Sequence, residues 1–265
     1  MAKQLERIRT TFAEQTAWRM VKAVDPANMV SLSSLASAVR LNEIREDLIR
    51  QGKNVPSYTA IVLKAAALVM QRYPDANRAI LGPPFFRRLY QFHNVDVCVA
   101  VEKSLPALPG QPYAGLIRNP LSKNLATVTN ELQQLRACTE ATDRNFKLFM
   151  TILKKVPSPF SLLLINAPYF WPSLWVKFRG CAAWANSPAK AGADLVVTCW
   201  PWPLTFSFGH VKKRPLVVDD KVDAVLTIPL LMSFDRRIMG GGPASRVFAG
   251  FIDIIESADS ELFRE

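Results

Sequence analysis

Apolar positions recur along the chain with two periods, about 3.6 residues and about two, and the alternation between them predicts interleaved helices and strands. Thr10 to Val24 reads as a helix and Met29 to Ala36 as a strand. In Val39–Gln51, Val39, Leu41, Ile44, Leu48 and Ile49 keep helical spacing, and Gly52 stops the run. Ser57 is placed to cap a strongly apolar helix over Tyr58–Tyr73, which Pro74 ends. Phe85–Gln91 and Val95–Val101 are expected to pair as strands, the second alternating through Val95, Val97, Val99 and Val101. A helix follows, with Leu125, Val128, Leu132 and Leu135 along one face. Residues 140–190 show no clear period. Asp194–Cys199 is a short β-rich run, and strands are expected over Leu204–Val211, Leu216–Val218 and Val222–Phe234, with a turn at Asp219-Asp220. No internal repeat or low-complexity tract interrupts the pattern.

The last strand runs into the most informative stretch. Apolar residues from Leu230 give way to Ser233-Phe-Asp-Arg-Arg237, then to three consecutive glycines, Gly240 to Gly242. Pro243 then opens an amphipathic helix whose Val247, Phe251, Ile254 and Ile255 share a face. A strand–glycine turn–helix junction lets a substrate approach the backbone and presents a helix N-terminus to an anion. The same shape also serves as a plain tight connection.

Composition narrows the class. The chain has 265 residues, 49% hydrophobic and 21% charged, which is a globular balance and enough for a large buried core. A net charge of +11 suits an anionic partner: nucleic acid, an anionic membrane surface or a phosphate-bearing ligand. No Lys/Arg run reaches five residues and no nucleic-acid motif is present, so specific nucleic-acid binding is not expected. Cys98, Cys138, Cys181 and Cys199 lack C-x-x-C spacing and read as free thiols in a reducing cytoplasm. Two histidines, His93 and His210, argue against a His-based metal site. The N-terminal Met-Ala-Lys-Gln-Leu-Glu-Arg lacks the apolar core of a signal peptide.

From Val156 to Val176 no side chain is charged, a length that could span a membrane. Pro157, Pro159, Pro168 and Pro172, together with Asn166, would break the helical hydrogen bonding that hydrocarbon demands. A transmembrane helix is therefore rejected. Contact with a protein or a membrane surface through Tyr169, Phe170, Trp171 and Trp175 is the reading left for this segment.

The stretch Ser233–Phe248 resembles the catalytic domain of the dihydrolipoamide acyltransferases of 2-oxoacid dehydrogenase complexes, which share the chloramphenicol acetyltransferase fold. That family reads S-F-D-H-R-x-x-D-G-A-P-A-A-R-F here, and the chain follows it without a gap. Ser233, Phe234, Asp235, Arg237, Gly241, Pro243, Ala244 and Arg246 keep the frame. Other segments resemble the family too. Ser57, Thr59, Pro74 and Asn77 match a helix opening and its P-x-x-N ending, Asn94–Val101 the central V-N-I-G-V-A-V strand, and Arg118–Leu125 the I-R-x-A-x-x-K-S-L segment. In Asp194–Pro201 the family's T-I-S-N-x-G would put its serine on Thr198, its asparagine on Cys199 and its glycine on Pro201.

The resemblance implies an α/β two-layer sandwich of the chloramphenicol acetyltransferase type, a mixed sheet with covering helices, as a single domain over 1–265. No lipoyl or subunit-binding domain is recognisable, so the chain looks like a free-standing catalytic-domain relative. It also implies a homotrimer, an interfacial channel, coenzyme A or another acyl thioester as donor, and no covalently bound cofactor. Within that family a histidine deprotonates the attacking thiol or hydroxyl, and a serine of the neighbouring subunit holds the oxyanion.

The histidine position carries Arg236 and the aspartate position carries Gly240. A guanidinium, with a pKa above about 12, cannot act as a general base near neutrality. Three accounts stay open. The first is a pseudoenzyme keeping the fold for binding or assembly. The second is an active acyltransferase whose base has moved, with His93 and His210 the histidine candidates. The third is an anion-binding module using Arg236 and Arg237 as clamps. A nucleophilic Cys199 is a further reading, weighed against an inert buried thiol.

Overall fold

A computed structural model describes residues 28–83, 85–103, 112–218 and 220–264. The helix expected over Thr10–Val24 lies outside these residues. The described strands are β1 (Met29–Ser37), β2 (Arg78–Leu81), β3 (Arg88–Gln91), β4 (Val97–Val101), β5 (Tyr113–Ile117), β6 (Ala183–Asn186), β7 (Leu204–Phe208), β8 (Lys212–Val218) and β9 (Lys221–Asp235). The helices are α1 (Val39–Arg50), α2 (Tyr58–Arg72), α3 (Leu125–Ala137), α4 (Arg144–Lys155), α5 (Ser158–Phe170), α6 (Pro172–Arg179) and α7 (Gly241–Glu256). The main sheet is mixed, in the order β1-β9-β7-β6-β4-β5, with β8 also on β9; the β7–β6 and β6–β4 pairs are parallel and the others antiparallel.

Both faces of the centre of this sheet are covered, and side-chain alternation shows it directly. On β4, Val97, Val99 and Val101 join the main core, whereas Cys98 faces a second cluster with Trp175, Trp184, Trp202, Ala79 and Leu81. On β6, Ala183 and Ala185 go one way and Trp184 the other. The main core is built on α2, where every residue from Ala60 to Met70 is buried. A helix apolar all round belongs inside a large protein, so α2 needs no polar face. Ser57 caps it as expected, its Oγ accepting from the Ala60 amide at 3.2 Å. Lys64 is buried on this helix, its Nζ 3.3 Å from the Arg264 carbonyl, and burial lowers its pKa.

Two expectations are corrected. Phe85–Gln91 does not pair with Val95–Val101. Only Arg88–Gln91 is a strand, and it pairs with Arg78–Leu81 in a separate two-stranded sheet. The chain reverses just after Leu81 at Gly82, whose φ of +126° suits glycine, and there a Cβ would stand 2.7 Å from the Phe86 carbonyl oxygen. Asp194–Cys199 is not a strand: residues 194–200 have no regular structure. The place between β4 and β7 is taken by Ala183–Asn186, too short and too rich in alanine to show a strand period. Pro201 and Pro203, without N–H donors, delay β7 until Leu204.

The uncharged 156–176 segment is two helices broken at Trp171. Pro157 is the N-cap residue of α5 and Pro172 the first residue of α6, positions where a missing N–H costs nothing; Pro168 lies inside α5. Among the described residues no helix is long and apolar enough to cross a membrane.

Candidate functional site

The site grows out of the end of β9. That strand is exposed where it pairs only with β8 and becomes buried from Thr227 onward, where β1 and then β7 flank it. Met29 opposes Asp235 on one side, and Leu204 opposes Phe234 on the other. Ser233, of the family frame, is buried with its Oγ 2.8 Å from that of Ser31 on β1.

The chain turns at once after Asp235. The Ile238 amide donates to the Asp235 carbonyl at 3.0 Å, and the Arg236 amide donates to the Asn28 carbonyl at 2.8 Å. Asp235 is buried, and its two oxygens take the Arg237 guanidinium in a fork: Nε at 3.0 and 3.1 Å and Nη2 at 2.6 Å. Asp235 Oδ1 also accepts from the Arg237 amide at 2.9 Å. Arg237, expected as half of an anion clamp, is therefore bound to an internal carboxylate. Arg236 is exposed.

Helix α7 begins at Gly241, with Gly240 as its N-cap residue at φ −77° and no side-chain cap. Pro243 is thus the third helical residue, not the first, still within the turn whose amides lack helical partners. Val247, Phe251, Ile254 and Ile255 are buried together as their spacing predicts.

A cavity of about 260 Å³ lies at this corner, lined by Asp235 and Arg237, by Trp200 to Pro203, and by Arg87 and Tyr169. Backbone and side chain fasten it: the Asp235 amide donates to the Pro203 carbonyl at 2.8 Å, and the Tyr169 hydroxyl to the Pro201 carbonyl at 2.8 Å. The two segments singled out in the sequence, 194–201 and 233–248, meet here through the Trp-Pro-Trp-Pro turn and the Asp235–Arg237 pair. Arg236, Gly240 and Thr198 do not line this cavity.

Thr198 is half-buried, and its hydroxyl accepts from Asn186 Nδ2 at 3.2 Å. Asn186 Oδ1 in turn accepts from the Ser207 hydroxyl, so the loop is tied to the ends of β6 and β7. His93 is exposed in the loop after β3. His210 is exposed just after β7, with Nδ1 3.1 Å from the Ala189 carbonyl. Cys199 is half-buried, while Cys98 and Cys181 are buried; burial pushes the Cys98 thiol far up and the Cys181 thiol up to about 12. Neither thiol is a ready nucleophile.

Asn186, Ser207 and the Asp235–Arg237 fork were not singled out from the sequence. Asn186 closes an alanine-rich strand with no visible period. The i, i+2 spacing of Asp235 and Arg237 around Arg236 was the one local hint of their pairing.

Comparison with known proteins agrees with this architecture. No curated protein sequence matches the chain. Solved structures do, at 11–18% identity, and at that level they show the fold. Dihydrolipoamide acetyltransferase of Azotobacter vinelandii superposes with a TM-score of 0.70 at 18% identity, over 98% of this chain and 94% of that one. A probable dihydrolipoamide acetyltransferase of Listeria monocytogenes gives 0.69 at 15% identity, over 98% of both chains. A chloramphenicol acetyltransferase gives 0.50 at 12% identity, over 96% of this chain and 100% of that one. The fold is that of the chloramphenicol acetyltransferase-like sandwich. The model of the family described as 2-oxoacid dehydrogenases acyltransferase (catalytic domain) matches residues 3–146, more than half of the chain, and ends before Arg236. The chain belongs to the 2-oxoacid dehydrogenases acyltransferase (catalytic domain) family.

Proposed function

We propose that this chain keeps the acyltransferase frame as a single domain, without the histidine-based transfer, and works in binding or assembly as a cytoplasmic homotrimer. The observation that carries the reading is the turn after β9. An exposed Arg236 stands where the family has its base, and the adjacent buried carboxylate of Asp235 is held by Arg237. A guanidinium stays protonated at any working pH, so it cannot take a proton from a thiol. A pair already closed on itself offers neither a free base nor a free anion clamp.

The strand correction bears on the oxyanion residue as well. If the family's T-I-S-N register follows the strand that lies in the sheet, it reads Ala183-Trp-Ala-Asn186. The serine position is then Ala185, and Thr198 belongs to the following loop. Both reacting positions of the family would have lost their functional groups, which strengthens the reading.

Assembly has its own support. Of the four aromatics expected to make contact, Trp175 is buried in the second cluster and cannot, whereas Trp171 is 56% exposed. With Phe160 and Leu163, 63% and 56% exposed on α5, it makes an apolar surface suited to a covering subunit, another protein or a membrane face. Mass measurement by light scattering tests the trimer.

Activity is tested by incubating the wild type with acetyl-coenzyme A and dihydrolipoamide. The expected result is no turnover above background from pH 6 to 9. Brisk transfer with a base titrating near neutrality would sink the proposal, and His93→Ala and His210→Ala would then show which histidine supplies it.

A further inference from the structure

On the other side of the Trp-Pro-Trp-Pro turn lies a second cavity, of about 250 Å³, between α4, α5 and the aromatic face of the sheet. Its walls are apolar: Leu135, Leu148, Phe149, Ile152 and Leu164 all line it. Leu148 and Leu164 are 44% and 48% exposed and mark its mouth. Its inner end is Arg179 and Trp184, 6% and 1% exposed.

Each inner group carries one donor without a well-aligned acceptor, although the Tyr169 hydroxyl also interacts with the Arg179 guanidinium. Nη1 of Arg179 and Nε1 of Trp184 are buried and unpartnered. The neighbouring indoles differ in this respect: Trp175 donates to the Cys181 carbonyl at 3.1 Å and Trp202 to the Arg179 carbonyl at 2.9 Å. Arg179 gives Nη2 to the Ile165 carbonyl at 3.0 Å, and its guanidinium lies 4.8–5.3 Å from the ring centres of Tyr169, Trp202 and Trp175. Among the described residues no carboxylate pairs with it. Asp143, the acid lining this cavity, caps α4 through the Phe146 amide at 2.6 Å.

Aromatic faces offset part of the cost of burying a cation, but they do not accept the hydrogen bond of Nη1. A buried, unmatched donor pair in an apolar cavity fits a ligand that brings an acceptor with negative charge and an apolar body. Trp184 and Arg179 both line the cavity and both lie against Trp202, the ring centres of the two indoles 4.6 Å apart.

We propose that this cavity binds a small amphiphilic carboxylate, its anion on Arg179 and Trp184 and its apolar body running outward between Leu148 and Leu164. The size fits a medium-length chain or a single ring, since the volume is just below the range of roughly 300–1,000 Å³ typical of drug-sized ligands. The site is independent of the lost histidine, because binding here requires no acyl transfer.

The test compares octanoate with 1-octanol on the intact protein, by calorimetry and by the fluorescence of the tryptophans around the cavity. Octanoate should bind roughly tenfold or more tighter, as expected for hydrogen bonds to a charged group. Arg179→Met should erase that difference and leave octanol binding in place. Should Arg179→Met fail to fold, Trp184→Phe replaces it, with octanoate expected to weaken by roughly threefold to tenfold and octanol to hold. Leu164→Trp, which fills the mouth, should abolish both. Three results would overturn the proposal: no octanoate binding at millimolar concentration, equal affinity for acid and alcohol, or an acid preference that survives the donor variants. Acyl transfer by the wild type would end the functional reading above and leave this result untouched.

Discussion

Asp235, the last residue of β9, and Arg237, two residues on, close a two-pronged ion pair across the tip of the turn that carries Arg236. The carboxylate side chain is only 10% exposed and the guanidinium 44%, so the pair lies half in water. Removing the guanidinium leaves a buried charge with only backbone support. Arg237→Met should therefore cost about 1–2 kcal/mol in urea denaturation, a figure reduced from that of a fully buried pair for the exposure of Arg237. Arg237→Lys should recover less than half of it, because an ammonium cannot reproduce the fork.

Gly240 occupies an N-cap position that any residue could adopt. Its φ is −77°, and a Cβ there would find no atom nearer than Pro243 Cδ at 3.9 Å. Gly240→Asp should stabilise the protein by a few tenths to about 1 kcal/mol, through the Gly242 amide and the helix dipole. A lowered melting temperature would contradict this.

Arg236→His combined with Gly240→Asp puts back the family's histidine and aspartate on a sterically open turn. If the trimer and its channel are intact, dihydrolipoamide-dependent transfer from acetyl-coenzyme A should appear at roughly 10²-fold or more above wild type. No gain in a folded, trimeric double variant would contradict this prediction and count instead for loss of the oxyanion group as well as the base.

Arg118 ties three elements together. Nη1 lies 2.6 Å from the buried Asp96 carboxylate and 2.7 Å from the Val176 carbonyl, and Nη2 lies 2.6 Å from the Lys177 carbonyl. Asp96 also accepts from the Asn119 amide at 2.9 Å. Arg118→Met should cost about 2–4 kcal/mol and loosen the C-terminal half of α6, read as a change in the emission of Trp175.

Asp194 anchors the irregular segment before the Trp-Pro-Trp-Pro turn to β8. Hydrogen bonding from Lys212, and then from Arg214, holds its carboxyl below the usual range. A carboxyl whose folded pKa is depressed contributes stability above its unfolded value, near 3.9, and that contribution is lost as pH falls through the folded value. Wild type should thus exceed Asp194→Asn in urea midpoint at pH 7, and the difference should shrink progressively as pH falls below about 4. High salt should shrink it at pH 7, because Asp194 and Lys212 are exposed.

The sequence by itself determined the elements whose signals are local. Ser57 before an apolar run, the valine alternation through Val97, Val99 and Val101, and the stripe from Val247 to Ile255 each act through neighbours within a few residues, so they can be read in order. Only the tertiary structure decided which strands meet and which charges are buried. Arg88–Gln91 paired with Arg78–Leu81, and Ala183–Asn186 took the place expected for 194–199, because strand pairing is settled by long-range packing that no local period records. Arg179 looks like an ordinary basic helix end in the chain. It is a cavity donor because Tyr169, Trp175 and Trp202 close around it from three separate segments.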